Sequence, residues 1–375
     1  MTPSPAPPGK NNHTEVTVAV PNVAAGALDA DDRSDRRHLH SAPADVDRSP
    51  TLIPSTPRSR DDLLGALDGA RVDEAGLVAS VVVAVRGNAR DLAGLLAALS
   101  RQDLGTGLFE LIVVDNHPSA VVEPTVFAAA GFAWQLVHEP VAGVSRARNA
   151  GIRRARGACV LITDPDSRPG SSWVRELATA LIDQAAAVAG GPAIPRLPME
   201  AALRSQLRQW FVPPVWPEHT QELTPPYWIV GCNMGFRRTS PPPMFDENLG
   251  AVGRRHRSCE DLELVIRAQM AGQRVLLVPA AVVHRTVTAD DLRLRALLSR
   301  AFWHGVSVAQ LRRNVPARYI VDSYRLRDVI TERHHLTRLT HLARLAGYCG
   351  ARLAAKLRTH QRGVRATQAV AQPPR

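Results

Sequence analysis

Leu77-Val-Ala-Ser-Val-Val-Val-Ala-Val85 carries one polar side chain in nine residues, with no alternation of polar and apolar positions. β-Branched residues favour extended backbone, and a strand with no polar face must be covered on both sides. Such a strand belongs inside a sheet with helices on each face. Two further runs repeat the pattern, Phe109-Glu-Leu-Ile-Val-Val-Asp115 and Ala158-Cys-Val-Leu-Ile-Thr163. Between and after them, apolar residues recur at helical spacing: Leu92, Leu95, Leu96 and Leu99 within 91–99, a segment over 147–155, and Leu177 and Leu181 within 173–187. This alternation predicts an α/β fold, a mostly parallel sheet flanked by helices.

Around that core the texture changes twice. Residues 1–76 are rich in Pro, Ala, Asp, Ser and Arg, which predicts a largely disordered extension. The globular domain is expected over 77–287, with a further strand at 230–236, a helix at 258–271 and a strand at 274–283. Residues 288–375 read as a helical, basic C-terminal extension with a disordered end, its clearest helices at 289–308 and 336–357. Prolines punctuate 190–226, where Trp210, Trp216 and Trp228 cluster.

The net charge is +11, and residues 312–375 hold fourteen Lys and Arg against three Asp and Glu, a surplus equal to that of the whole chain. A charge confined to one end reads as a solvated basic surface or a contact with anionic membrane, and not as a nucleic-acid site. The four cysteines are far apart and form no C-x-x-C, so neither a disulfide framework nor a thiolate metal site is expected. No basic-then-apolar leader and no apolar run of about 18 residues is present, so the expected location is cytoplasmic, either free or peripheral on the inner face of the membrane through the basic region.

Ligands of parallel α/β sheets sit at the carboxyl ends of the strands, so the residues closing each run matter most. Arg86-Gly87-Asn88 follows the first run, Asp115-Asn116 closes the second, and Asp164-Pro165-Asp166 the third. Two carboxylates one residue apart can grip Mg2+ or Mn2+, and a metal so held can grip a diphosphate. Asp115 can meet a nucleobase imide or a ribose hydroxyl, or can close an Asx-turn. Gly143-Val-Ser-Arg-Ala-Arg-Asn-Ala-Gly151 opens a helix where free N–H groups favour an anion. There Arg148 and Asn149 line a nucleotide pocket or form a surface ion pair and cap. Glu260-Asp261 starts another helix, where acidic residues either answer the dipole or include a general base. His284 is a structural imidazole or a third metal ligand.

In their order, these pieces resemble family 2 glycosyltransferases of the glycosyltransferase A fold. The resemblance covers residues 77–287 and rests on Val81 to Val85, Val113-Val-Asp-Asn116, the 143–151 segment, Asp164-Pro-Asp166, Gly231-Cys-Asn-Met-Gly-Phe-Arg-Arg238, Phe245-Asp-Glu247, Glu260-Asp261-Leu-Glu263 and Val282-Val-His284. It implies that Asp115 contacts a uridine-type base, Asp164 lies near ribose and diphosphate, Asp166 holds the metal with His284 completing the site, and Asp261 is the catalytic base. Val85, Arg86, Arg148 and Glu260 join Asp115 and Asp164 as nucleotide-sugar contacts. Family members commonly end the first strand in Pro-Thr, where this chain has Ala84-Val85-Arg86-Gly87, and place Gly where this chain has Cys259. The basic loop Gly253-Arg-Arg-His-Arg257 either closes over the diphosphate or is plain surface.

The resemblance implies a metal-dependent, inverting, hexosyltransferase-like enzyme. It would take a sugar from a nucleotide-diphosphate donor, UDP-type favoured, to a saccharide, lipid-linked or small-molecule acceptor. Processive relatives add Q-x-x-R-W and membrane spans, which this chain lacks, so one sugar per encounter is expected. The alternatives are a nucleotidyl- or phosphosugar transferase and a noncatalytic binder of anionic polymer or membrane.

Overall fold

The computed structural model describes residues 76–87, 91–198, 217–225, 227–320, 329–330 and 335–370. The N-terminal extension up to residue 75 and the tryptophans Trp210 and Trp216 lie outside the described residues. The ordered chain opens with β1 (Ala79–Val85), α1 (Leu92–Leu99), β2 (Phe109–Asp115), β3 (Ala133–His138), α2 (Val144–Ile152), β4 (Cys159–Thr163), β5 (Ser167–Pro169) and α3 (Trp173–Ile182). It continues with β6 (Val188–Gly190), β7 (Ala193–Arg196), β8 (Gln221–Glu222), β9 (Asn233–Arg237), α4 (Glu260–Met270), β10 (Val275–Leu277), β11 (Val283–Thr286), α5 (Leu294–Leu311) and α6 (His335–Val370).

One sheet runs in the order β3-β2-β1-β4-β9-β6-β10-β8 and a small one in the order β5-β11-β7. In the large sheet only β9 and β8 run against the other strands. The expected mostly parallel sheet is therefore present, and β1, the most apolar run, has a parallel neighbour on each side.

Side-chain alternation divides the core into two layers. Val81, Val83, Leu111, Val113 and Leu161 face Leu92, Leu95 and Leu99 of α1 and Trp173, Leu177 and Leu181 of α3. Val82, Ile112, Val114, Val160 and Ile162 face Ala147 and Ile152 of α2 and Leu264 and Val265 of α4. At about 25 cal/mol per Å2, burial of this kind on both faces is the main stabilising term.

A buried carboxylate anchors the strand ends remote from β4's acidic motif. Glu110 accepts from Ser80 Oγ at 2.7 Å, Gln135 Nε2 at 2.9 Å and Arg156 Nη2 at 2.8 Å. Burial alone would raise its carboxyl, but the Arg156, Ser80 and Gln135 hydrogen bonds together hold it below the ordinary value. That contribution to stability is present above the unfolded-state value and is lost as pH falls through the lowered one.

The segment expected as one strand over 274–283 is two. Pro279 interrupts it, and β10 joins the large sheet while β11 crosses to the small one. His284 thus lies inside β11 and does not close β10. Two long helices form the C-terminal extension, crossing where a Cβ on Gly305 would lie 2.0 Å from the Arg344 carbonyl oxygen and one on Gly347 2.0 Å from that of Phe302. Only glycine permits that approach. Beneath the pair, Leu249, Cys259, Leu262 and Ile266 pack against Val308, Leu311, Tyr319 and Tyr348, coupling the extension to the start of α4.

Candidate active site

The carboxyl ends of β1, β2 and β4 lie side by side, and buried amides shape the loops above them. Asn116 donates from Nδ2 to the carbonyls of Glu139 and Val141, both at 2.8 Å, and accepts from Gly143 N–H at 2.8 Å. This fixes the entry to α2. Asn149 accepts from Phe245 N–H at 2.8 Å and donates to Phe245 O at 3.0 Å. It is therefore a structural tie.

Two expected nucleotide contacts at these ends have other work. Asp115 is 1% exposed, and its carboxylate accepts from the backbone N–H groups of His117 (3.1 Å), Val121 (2.5 Å) and Val122 (2.7 Å). It organises its own loop, the Asx-type alternative. Val85 buries its side chain in the core, and its carbonyl accepts from Asn116 N–H at 2.7 Å. Arg86, by contrast, is exposed and lies against the basic loop, with Nη2 3.6 Å from where a Cβ on Gly253 would stand.

Arg148 is the centre of the constellation. Its guanidinium, 4% exposed, donates to Asp164 Oδ1 at 3.0 Å and to Glu260 Oε1 at 2.9 Å, and sits 5.4 Å from the ring centroid of Phe245. One buried cation thereby joins α2, the end of β4 and the start of α4. Burial and the adjacent Asp261 push the Glu260 carboxyl up to about 7, with Arg148 pulling the other way. Arg148 and Glu260 lie deep in the charged floor so formed, while Asp164, 25% exposed, opens it to solvent.

Asp261 stands beside that floor. Its Oδ2 accepts from Gly231 N–H at 2.8 Å and its Oδ1 from Leu262 N–H at 2.8 Å, so both oxygens are oriented by backbone. The preceding Cys259 adopts φ 71° and ψ 11°, the left-handed region that favours glycine. That geometry explains the glycine usual in the family here. Holding a cysteine in it costs of order 1–3 kcal/mol, supported by its burial beneath α5.

Asp166 occupies the other side of Asp164. Its Oδ2 accepts from Arg285 Nε at 3.2 Å, while Oδ1 is buried without a hydrogen-bond partner. Burial raises the Asp166 carboxyl, Arg285 opposing and Asp164 adding repulsion. A buried carboxylate oxygen with no donor, one residue from a second carboxylate, fits a divalent cation. His284 is not brought to it: no group of three His, Cys, Asp or Glu side chains at metal-binding spacing occurs among the described residues. In β11 it pairs with Arg168 and Ile194, and burial and Arg196 lower its imidazole. Neighbouring residues of a strand project to opposite faces, and it is Arg285 that reaches Asp166. The sequence offered no signal for Arg285 beyond its place beside His284.

Ligands of open α/β sheets bind at the carboxyl ends of the strands, and here that edge gathers carboxylates around a buried arginine. More narrowly, residues 80–240 match the family model described as glycosyl transferase family 2, so the resemblance carried by the motifs holds over that stretch. No curated protein matches the chain. Among solved structures, S. aureus TarS is 16% identical with a TM-score of 0.43, covering 72% of this chain and 54% of its own. S. aureus TarS 1–349 in complex with UDP is 14% identical with a TM-score of 0.45, covering 75% and 92%. The mannosyltransferase PcManGT from Pyrobaculum calidifontis, in complex with GDP-Man and Mn2+, is 20% identical with a TM-score of 0.47, covering 84% and 88%.

Proposed function

We propose that this chain is a metal-dependent glycosyltransferase that moves one sugar from a nucleotide-diphosphate sugar to an acceptor hydroxyl, with inversion. The observation that carries the reading is the convergence, around Arg148, of Asp164, Glu260 and the oriented Asp261, next to Asp166 with its unpartnered oxygen.

Asp166, with Asp164 beside it, would hold Mg2+ or Mn2+, which when bound neutralises charge on the leaving diphosphate. Arg148 holds Asp164 and Glu260 in place and so acts as a positioning residue. Asp261 takes the proton from the acceptor hydroxyl as its oxygen bonds to the anomeric carbon. The bond from that carbon to the diphosphate oxygen breaks, and its electron pair leaves with the diphosphate. Glu260, the carboxylate next to Asp261, is paired with Arg148, which favours Asp261 as base in a single inverting displacement over a double displacement. Arg86, which lies against Gly253, and the loop from Gly253 to Arg257 would meet phosphate from the β1 side. The acceptor is a saccharide, a lipid-linked carrier or a small molecule.

The test is a thermal-shift screen of nucleoside diphosphates and nucleotide sugars with and without Mn2+. A ligand at about 100 times its Kd stabilises the native state by about 2.7 kcal/mol. At least one uridine or guanosine diphosphate is expected to raise Tm by several degrees only with Mn2+ present. A screen with no metal-dependent shift for any nucleotide would sink the reading.

A further inference from the structure

Among the described residues, a long apolar face of the last helix is exposed. On α6, Leu339, Leu342, Leu353 and Leu357 are 43%, 43%, 59% and 55% exposed. They stand three, eleven and four residues apart, spacings that return to one side of a helix with 3.6 residues per turn. Ala346 and Gly350, both exposed, continue the stripe between them. From Leu339 to Leu357 it runs about 27 Å at 1.5 Å per residue. The opposite side of the helix is docked, with Thr337, Thr340 and Tyr348 buried against the rest of the molecule.

The charge on this helix narrows what can cover it. His335–Val370 contains seven Lys and Arg and no Asp or Glu. Arg352 and Lys356, four residues apart, flank the leucine stripe, Arg352 also donating to Tyr348 Oη at 3.0 Å. A second copy of this face would bring like charges together with no acid to answer them, and a nucleic acid would leave the leucines in water. An anionic bilayer satisfies both features, taking leucines into the acyl boundary and cations against headgroups. Among the described residues no helix is long and apolar enough to cross a membrane, so such a helix would lie on the surface. A cleft of roughly 270 Å3 between α5 and α6 adjoins the stripe at Ala354 and is lined by Phe302 and Trp303 together with Arg257 and Arg313. It extends the same pairing of apolar and cationic groups.

We propose that the Leu339–Leu357 face of α6 docks this protein on an anionic lipid surface. Docking is independent of the transfer reading, because it needs neither donor nor acceptor. Its consequence is that an acceptor embedded in that surface would be met in two dimensions.

The test is co-sedimentation of the full chain with phosphatidylglycerol–phosphatidylcholine vesicles and with pure phosphatidylcholine vesicles. The protein is expected to sediment with the anionic vesicles and to be released by high salt. The pair Leu353→Gln and Leu357→Gln, which alters no charge, is expected to weaken binding about tenfold or more with an unchanged melting temperature. Lys356→Gln should weaken it by about fivefold. Absence of binding by the wild-type chain, or equal binding by the double-leucine variant, would overturn the proposal. So would sedimentation equilibrium showing a stable wild-type dimer that the double-leucine variant abolishes, since the face would then belong to a second copy.

Discussion

Asp261→Asn is expected to lower transfer turnover by about 10²- to 10⁴-fold, the usual worth of a general base, while nucleoside diphosphate binding stays within about twofold of wild type. Asparagine has the size of aspartate and keeps an oxygen that can accept from Gly231 or Leu262 N–H, so the turn into α4 is retained. What it loses is the capacity to take a proton from the acceptor. The loss should fall on kcat, because in the proposed mechanism Asp261 acts on the acceptor as it attacks and has no part in holding the donor. Steady-state rates together with calorimetric diphosphate binding separate the two effects. Wild-type turnover in this variant would remove Asp261 from the reaction.

Arg148→Met is expected to cost about 3–5 kcal/mol in stability, since removing one member of a buried charged group strands the others. Asp164 and Glu260 would lose a shared cation that is 4% exposed. The loss should depend on pH. With Arg148 gone, burial and Asp261 hold the Glu260 carboxyl further above its unfolded value, opposed only by a backbone hydrogen bond. A group whose folded value is raised contributes stability below its unfolded value and loses it as pH rises through the raised one. The deficit against wild type should therefore be smallest near about pH 5 and largest above about pH 8. Urea unfolding across that range measures it, and a deficit that grew toward acid would contradict the buried-triad account.

The strands were legible where two-sided burial left no ambiguity. Phe109–Asp115 and Cys159–Thr163 coincide with the apolar runs, because a strand buried on both faces is written as a near-continuous apolar stretch. Edges were harder. β3 (Ala133–His138) is exposed at Trp134 and carries Gln135 and His138, so composition gives it little signal, and its place at the sheet margin explains why. α3 stops at Ile182, short of residue 187, because Ala185 turns to φ 53°.

In the site, the pieces named by motif converge at one edge: Arg148, Asp164 and Glu260 in one cluster, with Asp261 and Asp166 beside it. Which way an individual group points was not legible. Asp115 turned toward its own loop because the chain doubles back over β2, a path that no local pattern encodes. His284 and Arg285 show the same limit in a strand, where a shift of one residue exchanges the face that meets Asp166. The central role of Arg148 required knowing that α4 starts within reach of α2, a contact 112 residues apart in sequence.

The central claim is that Asp166 holds a divalent cation through which a nucleoside diphosphate binds. Calorimetric titration of the diphosphate found in the screen, with Mn2+ present, into wild-type protein and Asp166→Ala tests it most directly. The account predicts binding by wild type that disappears when Mn2+ is chelated, and a loss of about 100-fold or more in the variant, consistent with removal of a metal ligand. Equal affinity in the two proteins, or binding indifferent to Mn2+, would contradict it.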